Sequence, residues 1–501
     1  MQASGRNPLP IDGVGSGFDR GYANRALVLL SLIAALVVYI DTMLTPALPT
    51  IAREYHVDIA TTSLLISLYT VFGVAVMPVV GKLADIYGKR RVLLWTLAAY
   101  LVVATTTSFA PTFELVLVSR FFQGVGLGTF PLAFSLAREE FPRPLVPRAQ
   151  GVISAVQVSG GAVGILVGAV VTSDYGWQAN YHLALPCILA LTVLTYFLVR
   201  ESPNLKPGAR LDSLGAAWLG ASLTAIVLGL SQGAAWGWTS AAVLGLIFGG
   251  LLALVPLALY ERGRAEPVFD LRLLRQRNVL IANLLVVVYG ISLYVAFQAI
   301  TYFMQLPGPI GFGLTVFQTG LILIPLIVVL LPVALAVGTV IPRYGVKPFL
   351  CVGSVFAMAG FLLLSTATSP EMITEFLAVY ALGSGMLTVS IQNLLVLSIE
   401  PKEMGLGTSL NTSFRYIGQS LGAPIAGAIL STFVSVQTTG AYSFSLPSHA
   451  AFQFCFYLAA TLFVVMGVIS LLGREVMGKR APTSVPASAP PSGEAAGDGE
   501  G

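Results

Sequence analysis

Asp41, Arg120 and Arg415 are the residues of this 501-residue sequence whose type and place could do chemistry. Asp41 ends a long apolar run that begins at Ala26, so it is expected inside a helix surrounded by lipid rather than water. A charged side chain there costs about 2.5–3.5 kcal/mol on insertion, and such residues mark ion and substrate pathways. An apolar surround disfavours the charged carboxylate and a nearby cation favours it. A carboxylate held between the two can take up and release a proton near neutral pH. Arg120, in the helix that follows Pro111, lies at a comparable depth and is the natural partner. Its guanidinium stays charged and can tune an acid without titrating itself. Gln123 sits on the same helix face. Each position also has a plainer reading: Asp41 bonded within a helix broken near Pro46, and Arg120 bonded to backbone carbonyls.

Arg415 has no acidic residue in a helix as an obvious mate. Three readings stay open for it: contact with an anionic cargo group, pairing with Asp41 in one state, or a structural role. Gln298, Gln392, Asn393 and Asn411 are the other polar residues within apolar blocks. They are candidates for the lining of a central cavity, although membrane helices also use such residues to bond one another. No phosphate-binding GxxxxGK[ST] segment is present, and His56, His182 and His449 lie apart without metal-ligand spacing. The expectation is therefore no enzyme, no cofactor and no metal, with a proton gradient as energy source.

These residues need a membrane-spanning frame. The chain is 56% hydrophobic and only 10% charged, against about 25% charged in soluble chains. Its apolar residues come in blocks long enough to cross a bilayer as helices. Spans are expected near 26–50, 61–82, 91–110, 113–137, 148–173, 180–199, 213–232, 239–260, 278–304, 314–341, 347–368, 371–398, 403–433 and 450–473, fourteen in all. With the N-terminus inside and strict alternation, 24 of the 27 Lys and Arg residues fall in segments on the cytoplasmic side. Both termini are then cytoplasmic. The expected class is an all-α polytopic membrane protein. Its expected plan is a six-helix bundle over 26–199, two inserted helices over 213–260 and a second six-helix bundle over 278–473. The tails 1–25 and 481–501 are polar and rich in Gly, Pro, Ser or Ala, and are expected to be disordered.

The two bundles read as a duplication. Gly81, Tyr87, Gly88 and Arg90 align with Gly338, Tyr344, Gly345 and Lys347, and Gly160 and Gly164 align with Gly418 and Gly422 at nearly the same offset. Duplicated halves around a central site are a recurring transporter plan. Gly160, Gly164 and Gly168 recur every fourth residue, the spacing that lets membrane helices approach closely. In the 81–91 loop, Gly81 and Gly88 suit close approach and sharp turning. With Asp85 and Arg90 they form a candidate gate whose contacts would stabilise one of two conformations.

GKLADIYGKRR at 81–91 resembles the signature loop of the major facilitator superfamily. YIDTMLTPALPTI at 39–51, RFFQGVG at 120–126, LSQGAAWGW at 230–238 and ERGRAEPVFDLRLLRQR at 261–277 resemble segments of its fourteen-helix drug:proton antiporters, the EmrB/QacA type. The resemblance implies a major facilitator fold and proton-coupled efflux of hydrophobic or cationic small molecules by alternating access, with Asp41 and Arg120 in proton coupling. The chain departs from that pattern at Ile165, where the exporters carry Pro after the helix-five Gly, at Gln178 for Arg and at Ala184 for Asn. An uptake carrier or lipid transporter on the same scaffold is the alternative reading, and a non-transporting sensor a distant one. The partners expected are a small-molecule substrate and the lipid bilayer of the cell membrane, with no nucleic acid, and the protein is expected to act as a monomer.

Overall fold

The computed structural model describes residues 19–142, 145–202, 205, 212–262, 272–400, 403–439 and 442–476. The expected disordered tail 481–501 and most of the expected N-terminal tail lie outside the described residues. The first helix begins earlier than the apolar run suggests, at Arg20 rather than Ala26, because the Asp19 carboxylate accepts from the Tyr22 amide and caps it.

In chain order the helices are α1 (Arg20–Thr42), α2 (Leu48–Glu54), α3 (Ile59–Tyr87), α4 (Lys89–Ser108), α5 (Phe113–Gln123), α6 (Thr129–Glu140), α7 (Val146–Tyr175) and α8 (Gln178–Leu198). Next come α9 (Ser213–Trp236), α10 (Ala241–Arg262), α11 (Arg277–Gln305), α12 (Val316–Ile322), α13 (Pro325–Val328) and α14 (Leu330–Tyr344). The last four are α15 (Lys347–Leu364), α16 (Pro370–Val396), α17 (Met404–Thr432) and α18 (His449–Leu472). Between α17 and α18 an antiparallel hairpin, β1 (Val434–Thr439) and β2 (Tyr442–Pro447), pairs Val434 with Pro447 and Thr439 with Tyr442. The apolar-block reading did not anticipate it. The fold is otherwise helical, as lipid requires: a helix satisfies its own backbone polar groups.

Twelve helices among the described residues are long and apolar enough to cross a membrane, rather than fourteen. The expected span over 314–341 is broken at Leu323–Ile324 and again at Val329, leaving pieces of 7, 4 and 15 residues. Pro325 opens the middle piece, where its missing N–H does no harm. The expected span over 403–433 forms one helix of 29 residues, α17. Thr408, Asn411, Thr412, Arg415, Gln419 and Ser420 keep it below the apolarity of the others. The α17 helix packs against α11 and α3, whereas α14 leaves Leu331 and Leu335 exposed.

The duplication is visible in geometry. Gly88 and Gly345 end α3 and α14 with φ of 103° and 89°, a backbone region open to glycine. The next helix in each case starts under a carboxylate from far along the chain. Glu201 accepts the amides of Arg90 and Arg91 at 3.0 and 3.2 Å, and Glu475 accepts those of Val346 and Lys347 at 2.8 and 3.2 Å. The glycine stripes match too. A Cβ on Gly160, Gly164 or Gly168 would meet the backbone of α1 at Ala35 or Tyr39, or of Met43 just after it, within 2.3–2.6 Å. One on Gly418 or Gly422 would meet the α11 backbone at Val287 or Ile291. Thus α7 lies on α1 as α17 lies on α11.

The bundle has two ends. At the Gly88 end, Lys89 pairs with Glu139, the Tyr22 hydroxyl donates to Glu140 at 2.8 Å, and Arg200 lies 3.7 Å from Asp19. At the opposite, Asp58 end, helices from before and after α10 meet. The Gln305 amide donates to the Pro46 carbonyl at 2.8 Å, the Ala60 amide to the Ser431 hydroxyl at 3.3 Å, and Gly427 packs on Ala60 and Ser63.

Candidate functional site

Asp41 lies one residue before the end of α1, and the reason is local sequence. Pro46 and Pro49 cannot continue the helical hydrogen bonding. After Thr42 the chain therefore passes through a turn and a short 3-10 stretch, Thr45–Ala47, before α2. A helix that stops in the middle of a span leaves carbonyls without amide partners. Arg120 supplies those partners. Its Nη1 donates to the Ile40 carbonyl at 3.2 Å and its Nη2 to the Asp41 carbonyl at 3.0 Å, while Nε donates to the Leu65 carbonyl of α3 at 3.1 Å. Nη2 also stands 3.7 Å from the Asp41 carboxylate oxygen Oδ1, and the guanidinium lies 4.3 Å over the Tyr69 ring.

Arg120 is fully buried and Asp41 nearly so, at 0% and 4% exposure. Arg120 is a backbone clamp, and it also faces the buried carboxylate. The carboxylate itself is the looser member. Its Oδ1 is buried without a hydrogen bond. Carrying an unpaired buried oxygen is unfavourable, and it marks the place where a proton or a polar cargo group would be welcome.

Gln123 joins the group as expected. Its Oε1 accepts from Arg120 Nη1 at 2.6 Å and from the Tyr181 hydroxyl of α8 at 3.2 Å. The Gly124–Gly128 stretch that follows sets the height of Arg120. A Cβ on Gly124 would lie 2.2 Å from the Tyr69 carbonyl, and one on Gly126 would lie 2.6 Å from the Tyr100 ring. Tyr69, Tyr100 and Tyr181 surround this centre and were not among the sequence candidates. A tyrosine inside an apolar block reads as packing, yet a buried phenol needs a partner, and that need was the available signal.

Arg415 stands across the centre on α17, half-buried, with its guanidinium 5.5 Å from the Tyr416 ring. The Tyr416 ring stacks against Phe130 of α6 at 6.3 Å, which joins α17 to the helices before α10. The remaining cavity candidates disperse. Gln298 reaches the Ile59 carbonyl at 3.5 Å, at the closed Asp58 end. Asn411 donates to Asn283 at 3.2 Å and holds α17 to α11. Asn393 bonds the Val389 carbonyl of its own helix, and Gln392 is exposed on α16. Gln298, Asn393 and Asn411 thus serve as helix-to-helix or local hydrogen-bonding groups, the other use that membrane helices make of polar side chains. A cavity of about 600 Å³ lies to one side, between α3, α5 and α9, with an apolar lining that includes Phe72, Phe121, Ala217 and Gly220. None of the charged residues lines it.

In the 81–91 loop the expected roles divide. Gly88 makes the sharp turn, but a Cβ on Gly81 would meet nothing within 4 Å, so close approach does not explain that glycine. Arg90 donates to the Tyr196 carbonyl and lies over the Tyr196 ring, and its amide is held by Glu201. Asp85 is half-buried in the last turns of α3. Glu201 and Glu139 are carboxylate partners of the loop that sequence reading missed, because they lie about fifty to more than a hundred residues away. Gln178, where the resembling exporters carry Arg, donates with Trp177 to Glu54 at 2.9 Å.

Comparison with known proteins follows the same outline. The chain is 25% identical over 415 residues to the multidrug transporter protein MdtP of Bacillus subtilis, covering 81% of this chain and 76% of that one. It is 29% identical over 442 residues to the cephamycin export protein CmcT of Amycolatopsis lactamdurans, covering 85% and 88%. It is 26% identical over 399 residues to the tetracenomycin C resistance and export protein of Streptomyces glaucescens, covering 79% and 73%. Among solved structures, a D-xylose-proton symporter superposes with a TM-score of 0.63 at 12% identity, over 92% of this chain and all of that one. The human organic anion transporter MFSD10 superposes with a TM-score of 0.58 at 17% identity, over 89% and 99%. The family model of the Major Facilitator Superfamily matches residues 30–423 and 311–496. With its duplicated helical halves and a family match over most of its length, this multi-pass membrane protein belongs to the Major Facilitator Superfamily.

Proposed function

We propose that the protein is a secondary transporter that exports lipophilic small molecules by alternating access, with a proton on Asp41 as the coupling ion. The observation that carries this reading is the buried Asp41 carboxylate beside Arg120, with one oxygen unbonded. Ionised, Asp41 attracts Arg120 and draws α5 to the end of α1; protonated, it loses that attraction. The equilibrium between two packings of these helices then depends on the proton. Export rather than uptake is supported by the relatives, named as a multidrug transporter and as antibiotic export proteins.

The fourteen-span drug-exporter plan is part of the same proposal. Met404–Thr432 occupies the repeat position of α7, and Leu330–Tyr344 ends at Gly345 as α3 ends at Gly88. Both segments would cross the membrane while leaning on neighbouring helices. Two six-helix bundles over 26–199 and 278–473 would then flank α9 and α10. The Lys and Arg distribution supports a cytoplasmic Gly88 end, and so cytoplasmic termini. With that orientation the contacts at the Asp58 end close the outer side.

The test is accumulation of a panel of fluorescent lipophilic compounds in a host stripped of its own exporters. Expression of the protein lowers accumulation of part of the panel, and Asp41→Asn restores it. Accumulation raised by the protein would mean uptake and would overturn the export reading.

A further inference from the structure

We infer that the cargo carries an anionic group, and that Arg415 and Gln419 of α17 recognise it. The inference rests on the transporter reading and deepens it. Asp41, Arg120 and Arg415 are charged side chains that lie well inside spans or span-length helices among the described residues. Asp41 lies within the field of both arginines, and Tyr294 of α11 feels all three charges together with Tyr416. They form one electrostatic unit.

The unit does not balance. Arg120 has Asp41 in addition to three backbone carbonyls and Gln123. No carboxylate among the described residues pairs with Arg415, and its Nε is buried without a hydrogen bond. With Asp41 ionised the centre has one positive charge in excess; with Asp41 protonated it has two. Arg415 is half-buried, and when the site closes over a cargo an uncompensated charge there becomes strongly unfavourable. A cation as cargo would add to that excess in either state. A neutral cargo would leave it. A monovalent anion beside ionised Asp41 is the cargo that brings the centre to neutrality, and so the one that can be occluded at least cost.

The surroundings fit such a group. Gln419 is one turn beyond Arg415 on the same face of α17, and its amide oxygen is also buried without a partner. The oxygen and nitrogen of an amide exchange places by rotation, so Gln419 can turn its NH2 toward an anion. Arg415 offers the planar fork that matches a carboxylate in two parallel bonds. The aromatic rings of Tyr416, Tyr294 and Phe297, the last two 6.1 Å apart, suit an aromatic or lipophilic body attached to the acid. An inside-negative membrane potential also drives an anion outward, by about 2.3 kcal/mol per charge per 100 mV, so the cargo's charge helps export.

The experiment uses the full-length protein in lipid nanodiscs and three matched probes: 2-naphthylacetate, 2-naphthylacetamide and 2-naphthylethylammonium. We expect the carboxylate to bind at least ten-fold tighter than the ammonium compound, with the amide between them. Arg415→Gln should erase that order and Arg415→Lys should keep it. Should Arg415→Gln fail to fold, Gln419→Glu provides the second variant: a negative charge one turn away should also erase the order. The inference is overturned if the ammonium compound binds as well as the acid, if none of the three binds, or if the order survives Gln419→Glu or a folded Arg415→Gln. Transport of the same probes into and out of proteoliposomes is scored separately. Selective binding of the acid with no movement of any probe would leave the anion site standing and remove the transporter reading.

Discussion

Arg120 touches backbone and carboxylate at once, and the two contacts differ in what their loss would do. Arg120→Ala leaves the Ile40, Asp41 and Leu65 carbonyls without their donor and the buried Asp41 carboxylate without its neighbouring cation. Breaking one partner out of a buried pair costs about 3–5 kcal/mol. Asp41→Asn keeps the size of the side chain and every backbone contact of Arg120. Thermal unfolding in detergent should therefore show a Tm drop of many degrees for Arg120→Ala and a small change for Asp41→Asn. Equal drops would mean that the carboxylate, not the clamp, holds α5 to α1. Sequence was a good guide here wherever a charge stood in an apolar run: Asp41, Arg120 and Arg415 lie in one another's field, and the amide of Gln123 joins them through Arg120. It was a poorer guide to the other neutral amides. Gln298, Asn393 and Asn411 are just as conspicuous in the sequence, but Asn393 and Asn411 are taken up by local or helix-to-helix bonds, and Gln298 lies at the Asp58 end with its Oε1 unpartnered.

At the scale of elements, the glycine stripe of α7 decides how near α7 comes to α1, and hence where Asp41 sits. A side chain at Gly164 would begin 2.2 Å from the Thr42 hydroxyl and 2.6 Å from the Tyr39 carbonyl. Backbone cannot yield as a flexible side chain can. Overpacking of this kind costs about 1–3 kcal/mol or more. We expect Gly164→Leu to lower both Tm and transport, and Gly151→Leu, where nothing lies within 4 Å, to leave Tm unchanged. A stable, active Gly164→Leu protein would show that α1 and α7 need not be in contact. The stripe was legible as a periodicity, and so was the repeat that sets α17 on α11. The partner helix was not legible, because spacing names a face and not what covers it. Spans uniform in apolarity were also easy to read. The extent of the polar α17 was read too, at 403–433 against Met404–Thr432, but the breaks within Val316–Tyr344 were not, since an apolar run does not show where its helix is interrupted.

For the whole molecule, the described contacts close the Asp58 end across helices from both sides of α10. Ser431 Oγ accepts from the Ala60 amide, so cysteines at positions 60 and 431 would stand near each other in this state. In a background free of Cys187, Cys351 and Cys455, Ala60→Cys with Ser431→Cys should form a disulfide on mild oxidation. Transport should then stop and return on reduction, because alternating access requires this end to open. Continued transport by the fully cross-linked protein would contradict a rocking mechanism. The most direct test of the account is proton flux itself. Purified protein in liposomes, with a pH-sensitive dye inside and a transported compound supplied, should move protons only when the compound is present and in the direction opposite to it. Asp41→Asn should lose the proton movement while keeping its fold. Proton flux of wild-type size in Asp41→Asn, or cargo exchange with no proton movement in the wild type, would contradict coupling at Asp41.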